Sequence, residues 1–440
     1  MAGAISRYVR SFTGFSRDAR IFLLTTVVFG AAISLYWIDF NLYLEAIGLG
    51  WTIAWLLPAY SLAGVLMAFP ASALSDRFGR RSVMAAGMAL VAVALLAFLP
   101  GQLPLLFVGV VALGAGSMAV SVVQVPFIAE HTRPDQRNEY FAIWSAIGFL
   151  TGVVAALAGG ALAPEIAARL HLGSAAAPYQ ILLTGVAILG VLSLGTVWLL
   201  TSDRPPADRT PAAGASRFGI VILDRGLFFR LLLPGFLTSL GAGQLIPFLN
   251  VFIQNKFSLG LTEVNAIFAV TSLGTAAAIL AQPALARRLG RIGSIVLVQA
   301  ASIPFLVVLG FSPVLWTVVI ALAVRNSLMN AGSPIFDAFA MERISPAERA
   351  TLSAGMTLLW SLGWTIAPLY YGLLHAWLSF TAAFAVDFVT IIVLYTIATS
   401  LLWTWFRSTD REAAAAVVAD EATLAAATVA SESPSLLERA

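Results

Sequence analysis

The 440-residue chain is 60% hydrophobic and only 11% charged, with a formal net charge of +3 and a mean hydropathy of +0.91. A soluble domain carries about a quarter charged residues, so this composition excludes a water-soluble globular protein and points to a polytopic membrane chain with the lipid bilayer as solvent. The absence of cysteine excludes disulfides, thiolate metal sites and cysteine nucleophiles.

In chain order, Arg7, Arg10, Arg17 and Arg20 mark residues 1–20 as an N-terminal segment. It has no apolar stretch with a small-residue exit, so no cleaved signal peptide is expected. Twelve apolar stretches of membrane-spanning length follow, broken at charges, prolines and glycines: 21–45, 52–75, 82–100, 104–129, 138–162, 179–201, 228–254, 263–286, 292–311, 313–341, 350–375 and 380–406. Residues 202–226, with Arg-Pro-Pro-Ala-Asp-Arg and further Pro, Gly and Ser, read as a flexible linker. It separates residues 21–201 from 227–406. Residues 407–440 hold too little bulk for a core and are expected disordered, or weakly helical in their Ala-rich part.

Even parity puts both termini on one side. Nearly all arginines outside the spans fall there, among them Arg77 to Arg81, Arg133, Arg137, Arg204 to Arg225, Arg343, Arg349 and Arg407, while the opposite side holds only Arg169 and Lys256. The positive-inside rule therefore places the termini in the cytoplasm. Trp51, Trp55, Trp316 and Trp377 fall at outer ends and Trp198, Trp403 and Trp405 at inner ends, as interfacial belts do. Lys256 is the sole lysine and alanine is abundant, a usage associated with GC-rich bacterial genomes, which makes the bacterial inner membrane the expected location.

The two halves repeat. Leu74, Arg77, Gly79 and Arg80, within Ser72-Ala-Leu-Ser-Asp76-Arg77-Phe-Gly79-Arg80-Arg81, map onto Leu285, Arg288, Gly290 and Arg291 at an offset of 211. Phe127-Ile-Ala-Glu130-x3-Pro134-x2-Arg137 returns as Phe339-Ala-Met-Glu342-x3-Pro346-x2-Arg349 at 212. Gly152-x3-Ala156 returns as Gly363-x3-Ala367, and Asn41-Leu-Tyr more weakly as Asn250-Val-Phe. Parallel six-helix repeats are a recurring build of secondary transporters, with the substrate held between the halves.

On these motifs, over residues 15–408, the chain resembles the major facilitator superfamily. It departs from the pattern in places. Ser72 stands where the family motif opens with glycine, and Arg287 replaces the aspartate of the second copy. The fourth span has no membrane-embedded arginine, and Ala156-Leu157 stands where many drug/proton antiporters have Gly-Pro. The resemblance implies an all-α fold of twelve transmembrane helices in two pseudo-symmetric six-helix bundles. It also implies a cytoplasmic latch, carried here by Asp76, Arg77, Gly79, Arg80, Arg81, Glu130 and Arg137 and their repeats Glu342 and Arg349. Solvated topogenic charge is the alternative reading of that cluster.

Ionisable groups inside spans need a reason. Asn326, Asn330, Ser333 and Asp337 form one stripe on the tenth span, with Arg325 beside it. Spans 1, 4, 7 and 10 line the cavity in the resembled fold, which makes Asn41, Gln124, Gln244, Asn250, Arg325, Asn326, Asn330 and Ser333 candidate cavity residues. Trp360, four residues before Trp364 on span 11, is a further candidate as an aromatic wall for an organic substrate, with lipid- or core-facing packing as its alternative. Interhelical hydrogen bonding is the competing role for the neutral ones. Asp39 is the candidate for proton coupling, since a poorly hydrated carboxyl holds and releases a proton near neutral pH. A permanent pair with Arg325 or with a backbone group is its alternative. Asp387 is expected at the bundle periphery or outer interface.

The function expected is secondary active transport by alternating access, with proton-coupled efflux of a small organic molecule. The alternatives are proton-coupled uptake of an anionic or polar metabolite and, from another class, a non-transporting receptor or scaffold. The three histidines, His131, His171 and His375, lie at helix ends or loops, and no hydrolase or phosphate-loop motif occurs. Neither enzyme chemistry nor a cofactor is expected, nor a metal site or a nucleic-acid partner. The expected state is a monomer.

Overall fold

A computed structural model describes residues 14–133, 136–201, 222–289, 291–345 and 348–432, and all regular structure among them is helical. Lipid offers no hydrogen bonds, so each crossing segment satisfies its backbone internally as a helix. In the first half these are α1 (Arg17–Ala46), α2 (Ile53–Phe78), α3 (Arg80–Phe98), α4 (Leu103–His131), α5 (Arg137–Arg169) and α6 (Ala177–Trp198). The second half has α7a (Arg225–Leu245) and α7b (Leu249–Phe257), then α8 (Leu261–Leu289), α9 (Arg291–Phe311), α10 (Leu315–Arg343), α11 (Arg349–Trp377) and α12 (Phe380–Glu432). Ser16 and Asp224 cap the first helix of each half, accepting from the N–H groups of Ala19 and Leu227.

Two boundaries differ from the sequence reading. The seventh span is interrupted by a 3₁₀ turn, Ile246–Phe248, because Pro247 brings no N–H to the ladder. The last helix runs past Arg407 to Glu432, so the tail continues as helix where disorder was the first expectation. Its Ala-rich stretch has the highest intrinsic helix propensity available.

The packing repeats between halves. In the first, α1 packs on α5 and α6, α2 on α4, and α3 on α4 and α6. Adding six to every number gives the principal contacts of the second: α7a on α11 and α12, α8 on α10, and α9 on α10 and α12. The halves meet mainly through α2 with α11 and α5 with α8, a pair that the same renumbering exchanges.

This seam is one-sided. Away from the termini a single apolar core runs through both halves, from Tyr43, Leu44 and Phe98 to Phe248, Phe252 and Tyr371. At the terminal side each half keeps a separate core, around Phe22, Phe127 and Tyr140 in one and Phe228, Phe339 and Phe406 in the other. Two glycines let the helices close at the sealed side. A Cβ on Gly160 of α5 would sit 2.7 Å from Cβ of Asn265 on α8, and one on Gly372 of α11 would sit 2.4 Å from Cβ of Ala54 on α2. Gly160 and Gly372 are 212 residues apart and their partners 211, so the two close approaches are copies of each other. Without a hydrophobic drive between helices in lipid, such small-residue contacts set how closely they pack.

At the terminal side, Glu348 fastens the end of the linker to the α10–α11 turn. It accepts hydrogen bonds from the Leu223 N–H (2.6 Å) and from the Ser345 hydroxyl and N–H (2.8 and 3.3 Å). The Leu223 N–H foremost, with the Ser345 donors, holds its carboxyl below the ordinary glutamate value against an opposing effect of burial. A lowered value in the folded state gives stability that is full above the ordinary glutamate range and lost as pH falls through the lowered one. Glu348→Gln is therefore expected to melt below the parent near neutral pH, with the gap closing on acidification. Thermal unfolding in detergent across pH measures this; a gap independent of pH would contradict it.

Candidate functional site

The polar residues of the sealed side form two clusters. In the first, Asn41 of α1 donates to the Pro247 carbonyl, and Asn250 of α7b donates to the Ile38 carbonyl. Each amide grips the carbonyl three residues before the other asparagine, so the bonds are reciprocal. The α7 break leaves the Pro247 carbonyl available. Asp39 is fully buried and accepts from the Asn265 side-chain N–H at 2.7 Å, linking α1 to α8 across the halves. Asn265 also donates to the Leu261 carbonyl, and Thr262 donates to the Gly160 carbonyl at 2.6 Å. Oδ2 of Asp39 and Oδ1 of Asn265 are buried and find no hydrogen-bond partner among the described residues. Both unpartnered atoms are acceptors and both belong to the same pair.

The second cluster lies in the second half. Asp387 of α12, 1% exposed, accepts from the Gln244 side chain at 2.6 Å and lies 3.1 Å from Nε2 of His375 on α11. The His375 ring stacks on Tyr371, which stacks in turn on Phe248 of the α7 break. Asp387 is thus enclosed within the second half, where the periphery was one expectation.

Arg325 was expected at the cavity wall and is enclosed elsewhere. It is 2% exposed, donates to Oδ1 of Asn326 and to the Tyr395 hydroxyl (both 2.9 Å), and lies with its guanidinium 5.7 Å from the Tyr395 ring centroid. Its described partners are neutral, and Asp39 instead pairs with Asn265. A guanidinium has five donors to satisfy, and its aromatic neighbour on α12 offers both a ring face and an oxygen, which draws the side chain away from the centre.

A cavity of about 480 Å³ lies on the terminal side of the seal. Its described wall comes from α7a (Phe236, Thr238), α10 (Phe336, Asp337) and α11 (Met356, Thr357, Trp360, Ser361), with Met118 of α4 and Gln299 of α9. Of the expected cavity residues only Trp360 is in that wall. Asn41, Asn250 and Gln244 are held in the bonds above, Asn330 donates to the Asn326 carbonyl, and Gln124 is half-buried on α4 outside the cavity. The side chain of Ser333 lies outside the described residues.

In the loop motif, Gly79 joins α2 to α3 alone, with φ +90°, a conformation that L side chains avoid. Arg80 donates to the Ser75 hydroxyl (2.5 Å) and lies 3.5 Å from the Glu130 carboxylate. Arg81 donates to the Trp198 carbonyl and covers the Trp198 ring, while Arg77 is exposed over Phe78. These contacts stay within the first half. Glu342 is exposed at the end of α10, and the side chains of Asp76, Arg137 and Arg349 lie outside the described residues.

Sequence reasoning missed Asn265, Gly160, Gly372 and the His375–Asp387 contact. A signal existed for the glycines, since Leu157 and Gly160 recur as Leu369 and Gly372 at an offset of 212.

The sequence matches the family model described as Major Facilitator Superfamily over residues 21–354 and 231–436. No curated protein matches. Among solved structures, the chain is similar to a bacterial homologue of the human lysosomal transporter Spinster in an inward-facing, unoccupied conformation (TM-score 0.68, 19% identity, 88% of this chain and 97% of that one). It is also similar to the nucleoside transporter NupG (0.69, 14%, 88% and 99%) and to a D-xylose–proton symporter (0.68, 12%, 90% and 97%).

Adding a bulky side chain at the glycine contact should force the sealed side apart. Gly372→Leu is expected to shift the equilibrium towards separation by about 1–3 kcal/mol, the usual cost of overpacking. Spin labels at Trp51→Cys and Ser379→Cys, in a chain with no native cysteine, would report a longer distance. An unchanged distribution would mean that the seam does not depend on this approach.

Proposed function

Since the chain belongs to the major facilitator superfamily and is a multi-pass membrane transporter rather than an enzyme, we propose that it exports a small organic molecule in exchange for protons, with both termini in the cytoplasm of a bacterium. The arginine asymmetry supports that orientation. It makes the sealed side periplasmic and the cavity side cytoplasmic, the arrangement from which an exporter loads.

The observation that carries the proton-coupling reading is the Asp39–Asn265 pair. With Asp39 ionised, two buried acceptors in the seam lack a donor, and each such deficit costs about 1–3 kcal/mol. One proton on Asp39 supplies the missing donor and makes an acid–amide pair with two hydrogen bonds. It also removes the charge from a fully buried site. Proton binding therefore favours the sealed state, and proton loss favours separation of the halves. A proton taken up from the periplasm would close that side and be released before the next outward step. Among the described residues, a second titratable group facing Asp39 is Tyr179 of α6, whose hydroxyl accepts from Gln254 of α7b.

Uptake of an anionic metabolite would need Arg325 at the cavity, and its neighbours are Asn326 and Tyr395. Arg80, Glu130 and the flanking motif residues keep their proposed part as the cytoplasmic latch, closing when the other side opens.

The Trp51→Cys/Ser379→Cys spin-label pair tests the coupling without knowledge of the substrate. In the otherwise unmodified chain the long-distance population should grow about tenfold or more between pH 6 and pH 8, equal to about 1.4 kcal/mol of bias. Asp39→Asn should make the distribution insensitive to pH. A pH response that survives this substitution would remove Asp39 from coupling.

A further inference from the structure

The geometry of the cavity points to a lipophilic organic cation as the transported molecule, an inference that rests on the transporter reading above and gives it a substrate class. The volume, about 480 Å³, is that of a site for a drug-sized ligand and exceeds what a lone ion or a very small metabolite needs. The wall is mostly apolar. Phe236, Phe336, Met356 and Met118 offer flat or deformable hydrophobic surface, and sulfur-bearing side chains adapt to irregular ligand shapes.

Charge decides the class. Among the described wall residues Asp337 is the one charged side chain, and it is exposed to the cavity. It belongs to none of the described ion pairs, and Arg325, the cation in the span of the same helix, is turned to Tyr395. Trp360, 45% exposed and part of the same wall, presents an aromatic ring. A cation with apolar substituents meets both features, through the carboxylate and through the electron-rich ring face. An anion of the same shape meets neither and is repelled by Asp337. The hydroxyls of Thr238, Thr357 and Ser361 add a few hydrogen-bonding groups without altering the sign of the site.

Binding to purified, detergent-solubilised full-length protein tests this with two probes of nearly equal shape and opposite charge, tetraphenylphosphonium and tetraphenylborate. The expected result is saturable binding of tetraphenylphosphonium, at least about tenfold tighter than that of tetraphenylborate after subtraction of empty-micelle uptake. Asp337→Asn should erase the preference, Asp337→Glu should restore most of it, and Trp360→Ala should weaken the cation more than Trp360→Phe. Equal affinity for the two probes, preference for the borate, or a preference untouched by Asp337→Asn would each overturn the assignment. So would binding of neither probe. The pH response of the spin-labelled chain is measured without any ligand, so loss of the cation class and loss of proton coupling are distinguishable outcomes.

Discussion

Two six-helix bundles that move against each other must be joined by contacts close enough to exclude water on one side and few enough to part. Here that requirement falls on α2 with α11 and α5 with α8, and on two glycines in equivalent places. At those two contacts small residues allow close backbone approach, beside a core of larger side chains from both halves, Tyr43, Phe98, Phe248 and Tyr371 among them. On the terminal side the large side chains pack within each half instead, in the separate cores around Phe127 and Phe339. Rigid bodies with a narrow join favour discrete arrangements over continuous deformation.

In the proposed cycle, a carboxyl placed inside such a join is what would give a proton leverage over the whole molecule. Asp39 is fully buried, and its side-chain partner Asn265 belongs to the other half, so its protonation state changes an interaction between bundles rather than within one. The Asp387–His375 pair, by contrast, links two helices of the same half. Both acids are buried, but only the first bonds directly across the join; the second reaches it through His375, which faces Glu45 of α1. Burial alone is a poor guide to such a role; the partner's address decides it.

Much of the architecture was legible in the sequence because lipid imposes length and polarity on each span, and duplication leaves matching loops at a constant offset. The break in α7 was not, since membrane helices tolerate proline: Pro234 and Pro304 lie within helices while Pro247 sits in the interruption. The cavity was legible only in part. A stripe of Asn326, Asn330 and Asp337 shares one helix face, yet a face says nothing of what lies opposite, and only Asp337 reaches the space. The resemblance made Asn41, Gln244 and Asn250 cavity candidates, and here they serve as interhelical donors. Arg325 misleads for a related reason, because a costly residue signals that a partner exists without naming it.

The reciprocal bonds of Asn41 and Asn250 bear on the pathway between the two arrangements. Each asparagine sits three residues beyond the carbonyl that the other holds, so a displacement of α1 along α7b loosens both grips together. In the proposed transport cycle the two bonds would then part together, so that the seam is either fastened at both points or at neither.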